Sequence, residues 1–260
     1  MSKHMITAEV VSQSRITEDI FSLVLKAAEI AKEAVPGQFV SLFSGDASRL
    51  LPRPISLCEI NKNKGTLRLV YRIAGKGTKE FSAYKAGDTV QVMGPLGNGF
   101  QTECKSPILM GGGIGIPPML ELSKCLAEQG IDKKHLHVIL GYRDSAFLAD
   151  EFKKHATVHI TSDSGLVGRK GNVVDCVREE NLTGDMIYAC GPTPMLRAIK
   201  RYAYENDIPA QLSLEEHMAC GIGACLACVC KTAEVDEHFK VNTRRVCKDG
   251  PVFYAEEVEL

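Results

Sequence analysis

The chain has 260 residues, 45 % of them hydrophobic and 24 % charged, a composition that excludes a disordered polymer. Lys and Arg total 31 against 32 Asp and Glu, which excludes a nucleic-acid or membrane partner held by bulk charge. The length suggests two domains, or two with a small appendage.

The first hundred residues read as short strands at 6–11, 20–25, 38–43, 55–60, 66–73 and 89–93. Turn signals such as Pro36-Gly37 and Ala86-Gly87-Asp88 separate them, and six such strands predict a small antiparallel barrel. One helix, 78–84, is expected directly after Gly75-Lys76-Gly77. From Pro107 onward strand and helix alternate. Strands are expected at 108–110, 137–140, 158–160 and 186–189, and helices at 117–129, 149–154, 173–179 and 194–204. That alternation predicts a doubly wound parallel α/β sheet. After Leu214 the pattern stops and cysteines crowd together. The expected fold class is therefore β plus α/β: a barrel over 1–102, a nucleotide-type α/β domain over 103–212 and a small cysteine module over 213–260. No apolar run reaches the roughly 20 residues of a spanning helix. The first residues carry no apolar core of signal-peptide length, so a cytoplasmic location is expected.

Ten cysteines in a cytosolic chain point to metal rather than to disulfides. Cys220, Cys225 and Cys228, followed by Cys247, have the C-x4-C-x2-C…C spacing of plant-type [2Fe–2S] ligands. Four thiolates in one loop repel one another unless a cationic cluster neutralises them. Gly221 and Gly223 let the backbone fold tightly and aim N–H groups at the sulfurs. A zinc site with four cysteine ligands is the alternative, and Cys230 competes with Cys247 as fourth ligand. The strand-like stretch 229–231 would instead hold Cys230 in a packed position, and His217 reads as a solvated or packed histidine.

Gly111, Gly112, Gly113 and Gly115 lie between a buried strand and a helix, where N–H groups cradle a pyrophosphate or simply close a tight turn. Cys190, Gly191 and Pro192 end another parallel strand and open another helix. Two such loops define a ligand crevice. In the barrel, Arg53 precedes a strand and Gly77 opens a helix; an arginine there pairs bidentately with phosphate or is an ordinary surface residue. Cys190 either approaches a bound ring or is a small strand-end residue. In Tyr142-Arg143-Asp144, Arg143 suits a 2′-phosphate and Asp144 a free ribose hydroxyl.

Together these residues resemble the ferredoxin-NADP reductase superfamily. Arg53, Pro54, Ile55 and Ser56 match its flavin motif, with Ile55 where many members carry an aromatic residue. Val70, Tyr71 and Arg72, and Gly77 and Thr78, match further FAD-contact segments. Residues 111–118 and Cys190-Gly191-Pro192 match the pyridine-nucleotide segments. With a C-terminal [2Fe–2S] module added, the whole chain resembles the electron-transfer subunits of class 1B dihydroorotate dehydrogenases of pyrimidine biosynthesis. The related subunits of NADH-dependent ferredoxin:NADP oxidoreductase and sulfide dehydrogenase share the layout. The resemblance implies an oxidoreductase subunit holding FAD and a [2Fe–2S] cluster, with NAD as substrate. It also implies a heterotetramer with an FMN-binding dihydroorotate dehydrogenase catalytic subunit, two of each chain. Electrons would pass from that FMN through the cluster and FAD to NAD+, a flavin being needed wherever single electrons meet a hydride pair. No general base is expected. A zinc-stapled nucleotide-binding regulatory module is the more distant reading.

Overall fold

Alternating apolar and polar residues make the first hundred residues extended, and the chain closes them so that no strand edge stays open. The computed structural model describes residues 3–235 and 240–260. Strands β1 (His4–Arg15), β2 (Ile20–Lys26), β3 (Phe39–Leu42), β4 (Arg53–Asn61), β5 (Thr66–Arg72) and β6 (Thr89–Leu96) form a closed antiparallel barrel in the order β1-β2-β5-β4-β3-β6. Its interior is apolar, filled by Val10, Leu23, Leu25, Val40, Leu57, Leu69 and Phe81 among others. β1 extends well beyond the expected 6–11 because a register shift between Val10 and Ser12 lets its polar second half keep pairing with β2.

Two helices belong to this domain. α1 (Ala28–Glu33) was not expected from the sequence; its six residues bury Ile30 and Ala31 against the barrel. α2 (Lys76–Phe81) starts two residues before the expected position.

The second domain is a seven-stranded sheet, β10-β9-β8-β7-β11-β12-β15. Its members are β7 (Pro107–Gly112), β8 (His137–Tyr142), β9 (Thr157–Ser162), β10 (Arg169–Lys170), β11 (Met186–Cys190), β12 (Ala210–Ser213) and β15 (Val252–Tyr254). All pair in parallel except β12 with β15. That antiparallel edge strand comes from the cysteine-rich segment, so the last part of the chain is built into the sheet rather than hung from it. α3 (Ile116–Glu128), after β7, and α4 (Ala149–Phe152) cover one face. α5 (Val173–Glu179) and α6 (Thr193–Glu205), after β11, cover the other. The neighbours β7 and β11 therefore form the switch point where ligands of open α/β sheets bind. Among the described residues no helix is long and apolar enough to cross a membrane.

Barrel and sheet are joined by buried polar contacts. Glu121 of α3, 7 % exposed, accepts the Ile60 N–H at 2.9 Å, and burial raises its carboxyl above the usual range. Arg68 of β5 bonds Glu59 at 2.7 Å and reaches Glu151 of α4 at 3.1 Å. The remaining segment adds a two-stranded ribbon, β13 (Val229–Lys231) with β14 (Thr243–Arg245).

Candidate functional site

At the switch point the two glycine loops interlock. Cys190 pairs with Gly111 on one side and with Ser213 on the other. A Cβ on Gly115 would fall 2.5 Å from the Cys190 carbonyl carbon and 2.6 Å from the Gly191 nitrogen. One on Gly112 would meet the Met195 sulfur at 2.5 Å, and one on Gly191 would lie 3.2 Å from Gly112 Cα. Any side chain at these positions would wedge the loops apart. α6 carries proline in its first turn and no side-chain cap, so its first N–H groups meet no side-chain acceptor. α3 opens on Pro117-Pro118, which have no N–H, and its Ile116 N–H is taken by the Gly113 carbonyl. Gly113 takes a left-handed φ of 54° in the turn between β7 and α3. Burial pushes the Cys190 thiol up to about 12, partly offset by a bond with Ser213, so it stands protonated at neutral pH.

β5, which carries Val70, Tyr71 and Arg72, packs against the Gly113–Gly115 turn. Val70 is buried in one cluster with Ile116. The Tyr71 side chain turns the other way, into the barrel, where its hydroxyl accepts a bond from Gln13 at 3.0 Å and its ring stacks on Phe21. Tyr71→Phe is accordingly expected to cost about 1 kcal/mol of stability and leave FAD stoichiometry unchanged in the flavin absorbance; loss of the flavin would show that the hydroxyl reaches it.

Arg72 is half exposed and paired with Asp19 at 3.0 Å. The Thr78 hydroxyl closes the turn before α2, accepting the N–H groups of Ala74 and Gly75 at 2.9 and 3.1 Å. Arg53 arches over Gly77: a Cβ there would meet Arg53 Nε at 2.7 Å, so the glycine makes room for the guanidinium. Pro54, Ile55 and Ser56 follow along β4, partly exposed and paired with β3.

The cysteine loop folds by local backbone bonds to sulfur. Cys220 Sγ accepts the N–H groups of Ile222 at 3.4 Å and Ala224 at 3.3 Å, and bonds with Cys225. Against the desolvation that would raise it, these bonds hold the Cys220 thiol down at about 6. Cys228 Sγ accepts the Cys247 N–H at 3.4 Å; burial and that neighbouring thiol push Cys247 up to about 12. The four sulfurs thus come as two pairs, Cys220 with Cys225 and Cys228 with Cys247. A single zinc needs four ligands around one centre, whereas a [2Fe–2S] cluster takes two thiolates on each iron. The donor set fits the cluster. Cys230 is buried in β13 opposite Arg244, and His217 is exposed. Arg245 was not singled out from the sequence, yet it ties the module together. It bonds Asp249 at 3.0 Å across the Cys247 turn and reaches the Gly223 carbonyl at 3.3 Å. Its signal was the i, i+4 spacing to Asp249.

The cysteine loop sits directly on the barrel. Gly221, at a left-handed φ of 69°, approaches Ser41 so closely that a Cβ would meet Ser41 Oγ at 3.0 Å. Ser41 pairs with Pro54, and the next residue of β3, Leu42, pairs with Arg53. Asn98, just past β6, donates its N–H to the Gly250 carbonyl at 2.6 Å and its side-chain amide to the Asp249 carbonyl at 3.0 Å. The cysteine pairs, the Arg53 strand and the glycine crevice are therefore contiguous.

This arrangement defines a flavin- and pyridine-nucleotide-dependent oxidoreductase with an iron–sulfur module. Residues 7–100 match the family model of the oxidoreductase FAD-binding domain, and 109–201 that of the oxidoreductase NAD-binding domain. Residues 215–259 match the iron-sulfur cluster binding domain of dihydroorotate dehydrogenase B. The chain belongs to the family of dihydroorotate dehydrogenase B (NAD(+)) electron transfer subunits. The member from Listeria monocytogenes serovar 1/2a is 42 % identical over 97 % of this chain and 98 % of its own, and that from Bacillus velezensis 40 % identical over the full length of both. A solved structure of an NADH-dependent reduced ferredoxin-NADP oxidoreductase superposes with a TM-score of 0.86 at 32 % identity, over 97 % of this chain and 89 % of that one. The ferredoxin reductase of carbazole 1,9a-dioxygenase shares the fold, at a TM-score of 0.68 and 21 % identity over 80 % of this chain and 67 % of that one.

Proposed function

We propose that this chain conducts electrons between the FMN of a dihydroorotate-oxidising partner subunit and NAD+, two copies of each chain forming the working assembly in the cytoplasm. When bound, the [2Fe–2S] cluster supplies single-electron transfer and FAD supplies the exchange between single electrons and a hydride pair. The residues of this chain bind and orient. Cys220, Cys225, Cys228 and Cys247 hold the cluster. Arg53, through a charge-assisted bond, and the main chain around Gly77 and Thr78 hold FAD phosphate, while Pro54, Ile55, Ser56, Val70, Tyr71 and Arg72 border the flavin. Gly111, Gly112, Gly113, Gly115, Cys190, Gly191 and Pro192 seat the nicotinamide nucleotide. Arg143 and Asp144 lie 3.6 Å apart on the surface, and their mutual neutralisation favours an unphosphorylated ribose, hence NAD.

One observation carries this reading: the seating of the Gly221 loop on Ser41, one strand from the Arg53 motif. It leaves no more than a strand between cluster ligands and flavin site. All ten cysteines are free thiols, in keeping with a reducing compartment. The exposure of Cys225, and of Ile222 and Leu226 close to it in sequence at 40 % and 61 %, supports docking of the partner at this loop.

The test is to isolate the chain with its natural partner. An FMN-binding subunit in equal amount, and bleaching of flavin and cluster absorbance by NADH, are expected. A larger flavoprotein with further clusters would instead support a ferredoxin-linked oxidoreductase. Leu226 has a φ of 57°, which aspartate tolerates, so Leu226→Asp changes the patch without backbone strain. It is expected to weaken partner binding at least about tenfold in a titration calorimeter with the cluster spectrum intact. Unchanged affinity would place the interface elsewhere.

A further inference from the structure

Between β3 and β4 the chain makes an excursion over residues 44–51 that contains no buried side chain. Leu50 and Leu51 point outward, 85 % and 53 % exposed. Nothing apolar holds this loop, so its shape rests on polar pins, and these meet at one carboxylate. Glu80 of α2 accepts the Ser44 hydroxyl through Oε2, the Gly45 N–H through Oε1 at 2.7 Å, and Arg49 Nη1 through Oε2. Arg49 in turn bonds Asp46 at 3.2 Å and the Lys76 carbonyl at 3.3 Å. Asp46 receives the N–H and hydroxyl of Ser48 at 2.9 and 2.7 Å. The pinned loop ends at Leu51, whose carbonyl accepts Arg53 Nη1. The same guanidinium rests on Gly77 of α2. Arg53 is therefore aimed from two sides, and both supports hang from α2.

A carboxylate on α2, one turn from the glycine on which the phosphate-binding Arg53 rests, is electrostatically the wrong sign. Removing it should improve anion binding if charge alone mattered. Glu80 nevertheless stays ionised: although partial burial raises its carboxyl, the bonds from Ser44, Gly45 and Arg49 bring it below the usual range. We propose that Glu80 is a positioning residue for FAD, pinning the 44–51 loop so that the Leu51 carbonyl aims the Arg53 guanidinium at the flavin nucleotide's phosphate. The proposal rests on the reading of Arg53 as a phosphate ligand. Without the pin, the loop regains the freedom that any unpacked segment has, and Arg53 must be ordered by the ligand itself.

The experiment is a double-mutant cycle on the full chain, deflavinated and titrated with FAD by quenching of its fluorescence. Glu80→Gln removes the negative charge but sets an amide N–H2 against Arg49. It is expected to raise the FAD dissociation constant about tenfold, the scale of one charge-assisted bond. Arg49→Met, which breaks the pin from the loop side, should move it in the same direction. In an Arg53→Ala background neither change should weaken binding further. Tighter or unchanged binding in Glu80→Gln, or effects of Glu80→Gln and Arg53→Ala that multiply, would overturn the positioning role. An unchanged constant in Arg53→Ala alone would instead overturn the phosphate reading of Arg53. Retained cluster absorbance and an unshifted melting temperature of the FAD-free chain establish that each variant is folded.

Discussion

Cys225→Ser is expected to abolish electron delivery from the partner while leaving FAD bound and still reducible by NADH. Cys225 is the exposed member of the Cys220 pair, and it bonds the Cys220 sulfur directly. A serine oxygen there is a harder and poorer iron ligand than a thiolate. Changes only to groups that support a metal's ligands cost about 10–100-fold, so loss of a ligand itself is expected to exceed about 100-fold in the partner-linked rate. The bonds that shape the loop are backbone N–H to Cys220 and Cys228, and the barrel lies on the far side of Ser41; the FAD domain has no reason to unfold. The measurements are the cluster's visible absorbance and its low-temperature electron paramagnetic resonance signal, both expected to vanish, set against an NADH-driven flavin bleach that persists. Collapse of the whole fold in a flavin-free protein would contradict this and favour a structural zinc staple.

Gly115→Ala is expected to strike the other end of the path. Its Cβ would press on the backbone at Cys190 and Gly191, and backbone within a parallel strand end has nowhere to move. Overpacking of this kind costs about 3 kcal/mol, which for a chain of this size lowers the melting temperature by on the order of 10 °C. Functionally the interlocked loops separate, and the Gly111–Gly115 turn no longer lies against the first turn of α6. NADH should then reduce the flavin with a KM raised at least about tenfold, a little over 1 kcal/mol of binding, whereas FAD and cluster content stay normal. Stopped-flow flavin reduction at varied NADH separates the two outcomes. A normal KM alongside the lowered melting point would mean that the nucleotide binds away from these loops.

The two substitutions divide the molecule as its sequence does, though with unequal legibility. The iron–sulfur module was readable because its cysteine pattern is local: three of the cysteines lie within one loop, and the bonds that shape that loop come from its own N–H groups. The glycine loops were readable for the same reason, each lying between one strand and one helix. α1 was not, since six residues between strands carry too short a pattern, and their burial in the barrel, rather than propensity, makes them helical. β15 escaped as well: three residues cannot signal a strand until a partner edge, here β12, offers its hydrogen bonds. The side chain of Tyr71 illustrates a limit of motif reading. The motif marks a segment, but the period-2 alternation of β5 sends that ring into the barrel.

Six short strands and an alternation of strand and helix were enough by themselves to determine the barrel and the doubly wound sheet, and the cysteine spacing to point to an iron–sulfur module. These follow from periodicity and local spacing, which a chain carries along its length. What only the tertiary structure decided is how the pieces meet. Gly221 lies on Ser41, Gly115 on Cys190, Arg53 on Gly77, and β15 closes the nucleotide sheet from a segment far along the chain. The physical reason is that each of these contacts joins residues distant in sequence, where close packing rather than local propensity sets the distance. An electron path is made of such distances.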